Sequence, residues 1–142
     1  MKVRELMSKP VIRIHADEPV EVAARTLTHY NIGALPVCGK DERLCGMLTD
    51  RDIVTRCLAA QRDLSCTSVR DVMTSGVLAV EADADASLAA HMMGRRQVRR
   101  LPVMEDGRLC GMISLGDLVS CEDKGYDAAD VLASITGNVS DR

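Results

Sequence analysis

Short apolar runs alternate with longer amphipathic stretches along this chain, and the alternation recurs in the same order. Val11-Ile12-Arg13-Ile14 and Val77-Leu78-Ala79-Val80 are rich in β-branched residues and predict short strands. Pro19 to Tyr30 places Ala23, Ala24, Leu27 and Tyr30 at the spacing of one helical face, and Asp17 just ahead of it supplies a helix-start signal. Asp85 to about Arg96 predicts a second such helix. Two strands, Ala34 to Val37 and Leu44 to Leu48, are expected around the turn Gly39-Lys40-Asp41-Glu42. Glu105-Asp106-Gly107 marks the matching hairpin further on. Helices from Asp50 to about Ala60 and from Leu115 to about Ser120 close the pattern. The order per copy is strand, helix, strand, strand, helix.

The recurrence extends to residue identity. Val3-Arg4-Glu5-Leu6-Met7-Ser8 returns 66 residues later as Val69-Arg70-Asp71-Val72-Met73-Thr74. Ala16-Asp17 returns as Ala82-Asp83, Ala23-Ala24 as Ala89-Ala90, and Leu35-Pro36-Val37 as Leu101-Pro102-Val103. The next turn is one residue shorter in the second copy. Arg43-Leu44-Cys45-Gly46-Met47 then returns as Arg108-Leu109-Cys110-Gly111-Met112, and Asp52 as Asp117. Self-similarity of this kind means one supersecondary unit used twice. A copy of about 50 residues buries too little apolar surface to stand comfortably alone. The expected fold is α+β, with two β-α-β-β-α repeats packed sheet to sheet about a pseudo-twofold axis. Residues 1–60 form repeat 1, the polar stretch 61–68 a linker, and residues 69–120 repeat 2. Residues 121–142 are expected to form a turn at Glu122-Asp123-Lys124-Gly125 and a short helix from Asp127 to Ile135.

Composition removes several function classes. Net charge is −3, so no general attraction to nucleic acid or anionic membrane is expected. Aromatic residues make up 1%, namely Tyr30 and Tyr126. A sheet that stacks bases on rings is excluded, and a flat ligand must lie between aliphatic side chains. No apolar run of about 18 residues predicts a membrane span. The start, Met1 to Lys9, lacks the apolar middle of a signal peptide. A cytoplasmic location is therefore expected, with the six cysteines mostly reduced. They form no C-x-x-C pair and no histidine lies near them, so no metal set is expected. His15, His29 and His91 read as surface residues. No nucleophile–base spacing, metal triad or glycine-rich phosphate loop stands out.

Thr49-x-x-Asp52 and its repeat Ser114-x-x-Asp117 sit where a strand ends and a helix begins. On the motif alone, the favoured reading is a capping box, with acid in the first turn matching the helix dipole. A carboxylate held there is also able to accept hydrogen bonds from ribose hydroxyls. Gly46 and Gly111, inside strands, mark close approach of a ligand or of another backbone, or tight sheet packing. Met47 and Met112 read as core, with lining of a slot for a flat ligand as the alternative. Arg95, Arg96, Arg99 and Arg100 are the densest charge cluster, most simply a solvated helix end. Cys45 and Cys110 read as small buried apolar residues, with a redox or metal pair as the alternative. Cys57, Cys66 and Cys121 are expected to be partly exposed.

The layout Met-(Ser/Thr), strand, Asp, helix, Leu-Pro-Val, turn, Leu-x-Gly, then Thr49-x-x-Asp52 or Ser114-x-x-Asp117 resembles the cystathionine β-synthase (CBS) domain. Two in tandem resemble a Bateman module, and the match runs from about residue 3 to residue 120. Asn31 to Val37 and Gly46 to Val54 are similar to small stand-alone bacterial CBS-pair proteins of the hypoxic-response type. The resemblance implies a regulatory homodimer, disk-like and without catalysis of its own. It also implies binding of ATP, ADP or AMP, with NAD or S-adenosylmethionine possible, and an unknown regulated protein as partner. With the resemblance added, Asp52 and Asp117 are read as ribose ligands that also cap. It places Arg99 and Arg100 beside phosphates, where the first copy has Gly33 and Ala34; Arg51 is the one nearby cation for the first site. Adenine is expected around Leu35-Pro36 and Leu101-Pro102. Opposite-copy segments are implied to close each site: Lys9, Pro10, Val11 and Ile12 the second, Ser75, Gly76, Val77 and Leu78 the first. The alternative is a ligand-free interaction module, responsive to redox through its cysteines. Nucleic-acid binding through the arginines is the weakest reading, given the charge and the absent aromatics.

Overall fold

The computed structural model describes residues 1–120; the expected tail turn and helix, and Cys121, lie outside them. The fold is mixed α+β with two small sheets, in two compact units. The units do not coincide with the sequence repeats. One holds Ile12–Val77 and the other Met1–Val11 together with the chain from Leu78 onward. Each repeat thus gives its leading segment to the unit built from the other repeat.

In the Ile12–Val77 unit, β1 (Ile14–His15) pairs parallel with β2 (Ala34–Cys38), which pairs antiparallel with β3 (Leu44–Thr49). A short fourth strand, β4 (Thr74–Ser75), completes the sheet beside β3. The expected strand at Val11–Ile14 is paired only from Ile14, whose partner Val37 directly follows Pro36. A proline supplies no N–H to lengthen that ladder. Helix α2 (Val20–Tyr30) covers the sheet with Val20, Ala23 and Leu27, which are buried, while Tyr30 is exposed rather than on the core face. Asp17 does not cap this helix; Pro19 is its N-cap and the Asp17 carboxylate binds Arg70 instead. Helix α3 (Asp50–Ile53) runs on into a π-helical turn, Val54–Leu58. The stretch read as a linker is built into this unit: Thr67 is buried, and its carbonyl accepts the Val20 N–H at 2.8 Å.

The second unit repeats the layout. β5 (Val80–Glu81), β6 (Arg100–Glu105) and β7 (Arg108–Ser114) form its sheet, covered by α4 (Ala86–Arg96) and α5 (Leu115–Val119). Here Asp85 is the N-cap of the first helix, accepting the Ser87 N–H at 3.1 Å. The leading helix α1 (Val3–Leu6) is tied in through Val3 and Arg4 N–H bonds to Ala84 and Ala82 carbonyls. Ser8 bridges Met112 of β7, in the place that β4 takes in the other unit. Each unit has its own apolar cluster, one around Leu35, Val37 and Leu48 and the other around Leu101, Val103 and Ile113. Burying one such side chain fully is worth about 1.5–3 kcal/mol, so these clusters fix the strands that carry the site residues.

The two glycines inside strands are explained by those leading segments. A methyl group on Gly111 would lie 2.9 Å from the Ser8 carbonyl oxygen and 2.7 Å from Met7 Sδ. One on Gly46 would strike the Thr74 carbonyl oxygen. What approaches these glycines is another backbone, which only a residue without Cβ admits.

Candidate functional site

Each β3–α3 and β7–α5 junction is a reciprocal cap. The Asp52 N–H donates to Thr49 Oγ1 at 3.0 Å, and the Thr49 N–H donates to Asp52 Oδ2 at 3.1 Å. The Asp117 N–H donates to Ser114 Oγ at 3.1 Å, and the Ser114 N–H to Asp117 Oδ2 at 2.8 Å. The capping reading therefore holds in both copies. It occupies one carboxylate oxygen and leaves Oδ1 for another donor. In Asp52 that oxygen faces Arg56 Nη1 at 3.8 Å. Arg56 Nη1 also donates to the carbonyls of Val72 and Met73 and to Thr74 Oγ1, joining the cap to the leading segment.

Arg99, Arg100 and Ser114 come together, with Leu115, Gly116 and Val119, around an open recess of about 490 Å³. Both arginines are exposed and neither forms an ion pair among the described residues. The Leu115 N–H donates to the Arg99 carbonyl at 2.7 Å, fixing the β6 entrance against the start of α5. An unpaired pair of guanidiniums beside a hydroxyl is suited to a phosphorylated ligand. Leu115, Gly116 and Val119 were not singled out in the sequence, although Leu115 and Gly116 lie inside the motif itself.

The other junction carries different residues. Gly33 and Ala34 stand where the arginines are, and the Asp50 N–H donates to the Gly33 carbonyl at 3.0 Å. Leu35 and Leu101 are committed to the apolar clusters, 0% and 1% exposed, so only their backbone is left for a ligand. Pro36 and Pro102 are buried as well. Lys9, Pro10, Ser75 and Gly76 are exposed and Val11 and Val77 half-buried. Ser75 lies across from Gly46 in the β3–β4 ladder. Ile12 and Leu78 pack against the cores of their own units.

Among the described cysteines, burial works against thiolate chemistry at Cys38 and Cys110. Cys38 is fully buried, and burial pushes its thiol up to about 11. Cys110 is raised too, also by burial. Cys45 and Cys110 are half-buried rather than buried, and Cys57 is buried where partial exposure was expected. Cys66 is exposed. Among the described residues no three His, Cys, Asp or Glu side chains gather to hold a metal ion, and no helix is long and apolar enough to cross a membrane.

Comparison with known proteins agrees with this layout. The CBS domain family model matches residues 3–59 and again 69–123. Hypoxic response protein 1 of Mycobacterium tuberculosis is 37% identical over 115 residues, 81% of this chain and 80% of that protein. A crystal structure of Hypoxic Response Protein I with two coordinated zinc ions superposes with a TM-score of 0.80 at 35% identity, covering 86% of this chain and 99% of that one. The CBS domain pair of protein MJ0100, in complex with 5′-methylthioadenosine and S-adenosyl-L-methionine, gives 0.74 at 26% identity, covering 84% and 94%.

Proposed function

This chain belongs to the CBS domain family and carries two copies, and from that premise we propose that it is a regulatory module that binds adenosine nucleotides and catalyses nothing. The observation that carries the reading is the recess where Arg99, Arg100 and Ser114 converge beside the Asp117 carboxylate. Arg99 and Arg100 take the phosphates of ATP, ADP or AMP, and Asp117 Oδ1 takes the ribose hydroxyls. Adenine is held by backbone and aliphatic surface near Leu101-Pro102, since the chain has no Trp or Phe and only two Tyr. The adenosine ligands of the MJ0100 pair support the ligand class. Lys9 to Val11 and Ser75 to Val77, which lie in the same units as the caps beside them, close the two sites. The module acts as a cytoplasmic homodimer, and occupancy shifts its affinity for a regulated protein.

Titration calorimetry tests this. ATP is expected to bind the full chain, and Arg99→Gln with Arg100→Gln is expected to weaken it. A chain that binds none of ATP, ADP, AMP, NAD or S-adenosylmethionine, by heat or by a shift in melting temperature, is not a nucleotide sensor.

A further inference from the structure

The charge of this chain is unevenly divided. Residues 1–120 carry as many acidic as basic side chains, and the net charge of −3 resides in residues 121–142. There Glu122, Asp123, Asp127, Asp130 and Asp141 outnumber Lys124 and Arg142. The opposite excess sits on the unit from which this segment departs. Arg95, Arg96, Arg99 and Arg100 are all exposed, and none of them forms an ion pair among the described residues. Arg99 and Arg100 line the recess of about 490 Å³, and so does Val119, the last residue of α5. Val119 is an exposed apolar side chain, and Ser120 Oγ donates to the Asp117 carbonyl at 3.1 Å where the helix ends. The acidic segment therefore begins at the rim of the cationic recess. An extended chain covers about 3.3–3.6 Å per residue, so Glu122 and Asp123 start at most about 15 Å from Val119.

Two guanidiniums with no internal partner favour any carboxylate brought beside them, and arginine grips a carboxylate in the same two-pronged geometry as a phosphate. A segment joined to Val119 through Ser120 and Cys121 is presented to the recess at an effective concentration on the order of millimolar. A contact too weak to persist between separate molecules therefore persists within one chain. We propose that residues 122–130 seat on Arg99 and Arg100 as the recess's own occupant, their carboxylates taking the place of an anionic ligand, which enters only by displacing them. The device belongs to one site alone. In the Ile12–Val77 unit Gly33 and Ala34 replace the arginines, and the chain beyond the cap is built into the unit through the π-helical turn and Thr67. The contact requires only a recess that attracts anions; the nucleotide reading says which anion displaces it.

Tyr126 lies within that segment and Tyr30 is the chain's other tyrosine, so the full chain with Tyr30→Phe reports on Tyr126 alone. Its fluorescence anisotropy is expected to fall when tripolyphosphate or salt is added. It is expected to fall equally with Arg99→Gln plus Arg100→Gln, and with Glu122→Gln, Asp123→Asn, Asp127→Asn and Asp130→Asn together. Exchanging the charges, Arg99→Glu and Arg100→Glu with Glu122→Lys and Asp123→Lys, should restore it, which no loss of folding would do. In calorimetry the chain with the neutralised segment should bind tripolyphosphate about tenfold more tightly, as expected if the segment fills the recess about nine-tenths of the time. Anisotropy indifferent to both arginines, or tripolyphosphate affinity unchanged by neutralising the segment, overturns the proposal. Anisotropy that rises with protein concentration assigns the segment to a second copy and overturns it too. Tripolyphosphate binding that tightens in the neutralised chain while ATP binds neither chain supports the contact and overturns the nucleotide reading alone.

Discussion

The two units share a scaffold almost position for position, yet carry different residues at four matched positions beside their strand–helix junctions. Both have a parallel first strand that starts beyond a proline, a glycine that admits a neighbouring backbone, and a reciprocal Ser/Thr–Asp cap. Only one places two arginines beside its cap. Fixed geometry with a changed lining is how a duplicated site acquires a second preference. The scaffold positions the capping carboxylate in the same way in both units, and the residues around it differ.

The largest break in this comparison comes from the lining. Arg99→Gln and Arg100→Gln are each expected to cost ATP about 1.5–3 kcal/mol, the worth of a hydrogen bond to a charged group. Asp117→Ala is expected to cost about 1–3 kcal/mol more through the ribose. Calorimetry reads both, and unchanged ATP affinity would end the phosphate assignment.

Next come the glycines, which test the scaffold rather than the ligand. Gly46→Ala and Gly111→Ala each force a methyl group onto the leading segment, at about 1–3 kcal/mol of stability. The loss should be larger at Gly46, whose nearest neighbour is the Thr74 backbone. At Gly111 the nearest atom is Met7 Sδ, the movable end of a flexible side chain, with the Ser8 carbonyl behind it. Urea unfolding of the full chain measures the two losses, and equal values would remove that distinction.

Those glycines also show what was legible in the sequence and what was not. The repeat, the strand and helix order, both caps and the arginine pair are all visible in residue identity and spacing. The exchange of leading segments is a long-range pairing, and no local periodicity encodes it. Its traces are side chains that make sense only with a distant partner. Asp17 looks like a helix cap until Arg70 is seen on it, and Gly46 looks like a ligand contact until Thr74 is seen beside it. Tyr30 sits on the helical face by spacing alone; its exposure reflects its place at the end of α2, past the core.

The caps should behave alike, because here the units do not differ. Thr49→Ala and Ser114→Ala each are expected to lower stability by about 1 kcal/mol, the usual worth of an N-cap hydroxyl. Thermal melts of the two variants test that equality, and a marked disparity would mean that Arg56 supports α3 independently of its cap.

The smallest effect is one of pH. The Arg70 guanidinium holds the Asp17 carboxyl below its ordinary value, chiefly by a hydrogen bond of 2.8 Å. Arg4 does the same to Asp83 at 2.7 Å. A carboxyl depressed in the folded chain stabilises it at pH values above the ordinary carboxylate range. That contribution is lost as pH falls through the depressed value. Both pairs are exposed, so the loss is small. Hydrogen exchange reads this loss at the leading segments. The Val69 and Arg70 amides, bonded to Glu18 and Ala16 carbonyls, and those of Val3 and Arg4, bonded to Ala84 and Ala82, should each lose a little protection as pH falls through the depressed value. Asp17→Asn should remove the pH dependence at Val69 and Asp83→Asn that at Val3, and an unchanged profile in either variant would show that its ion pair contributes nothing.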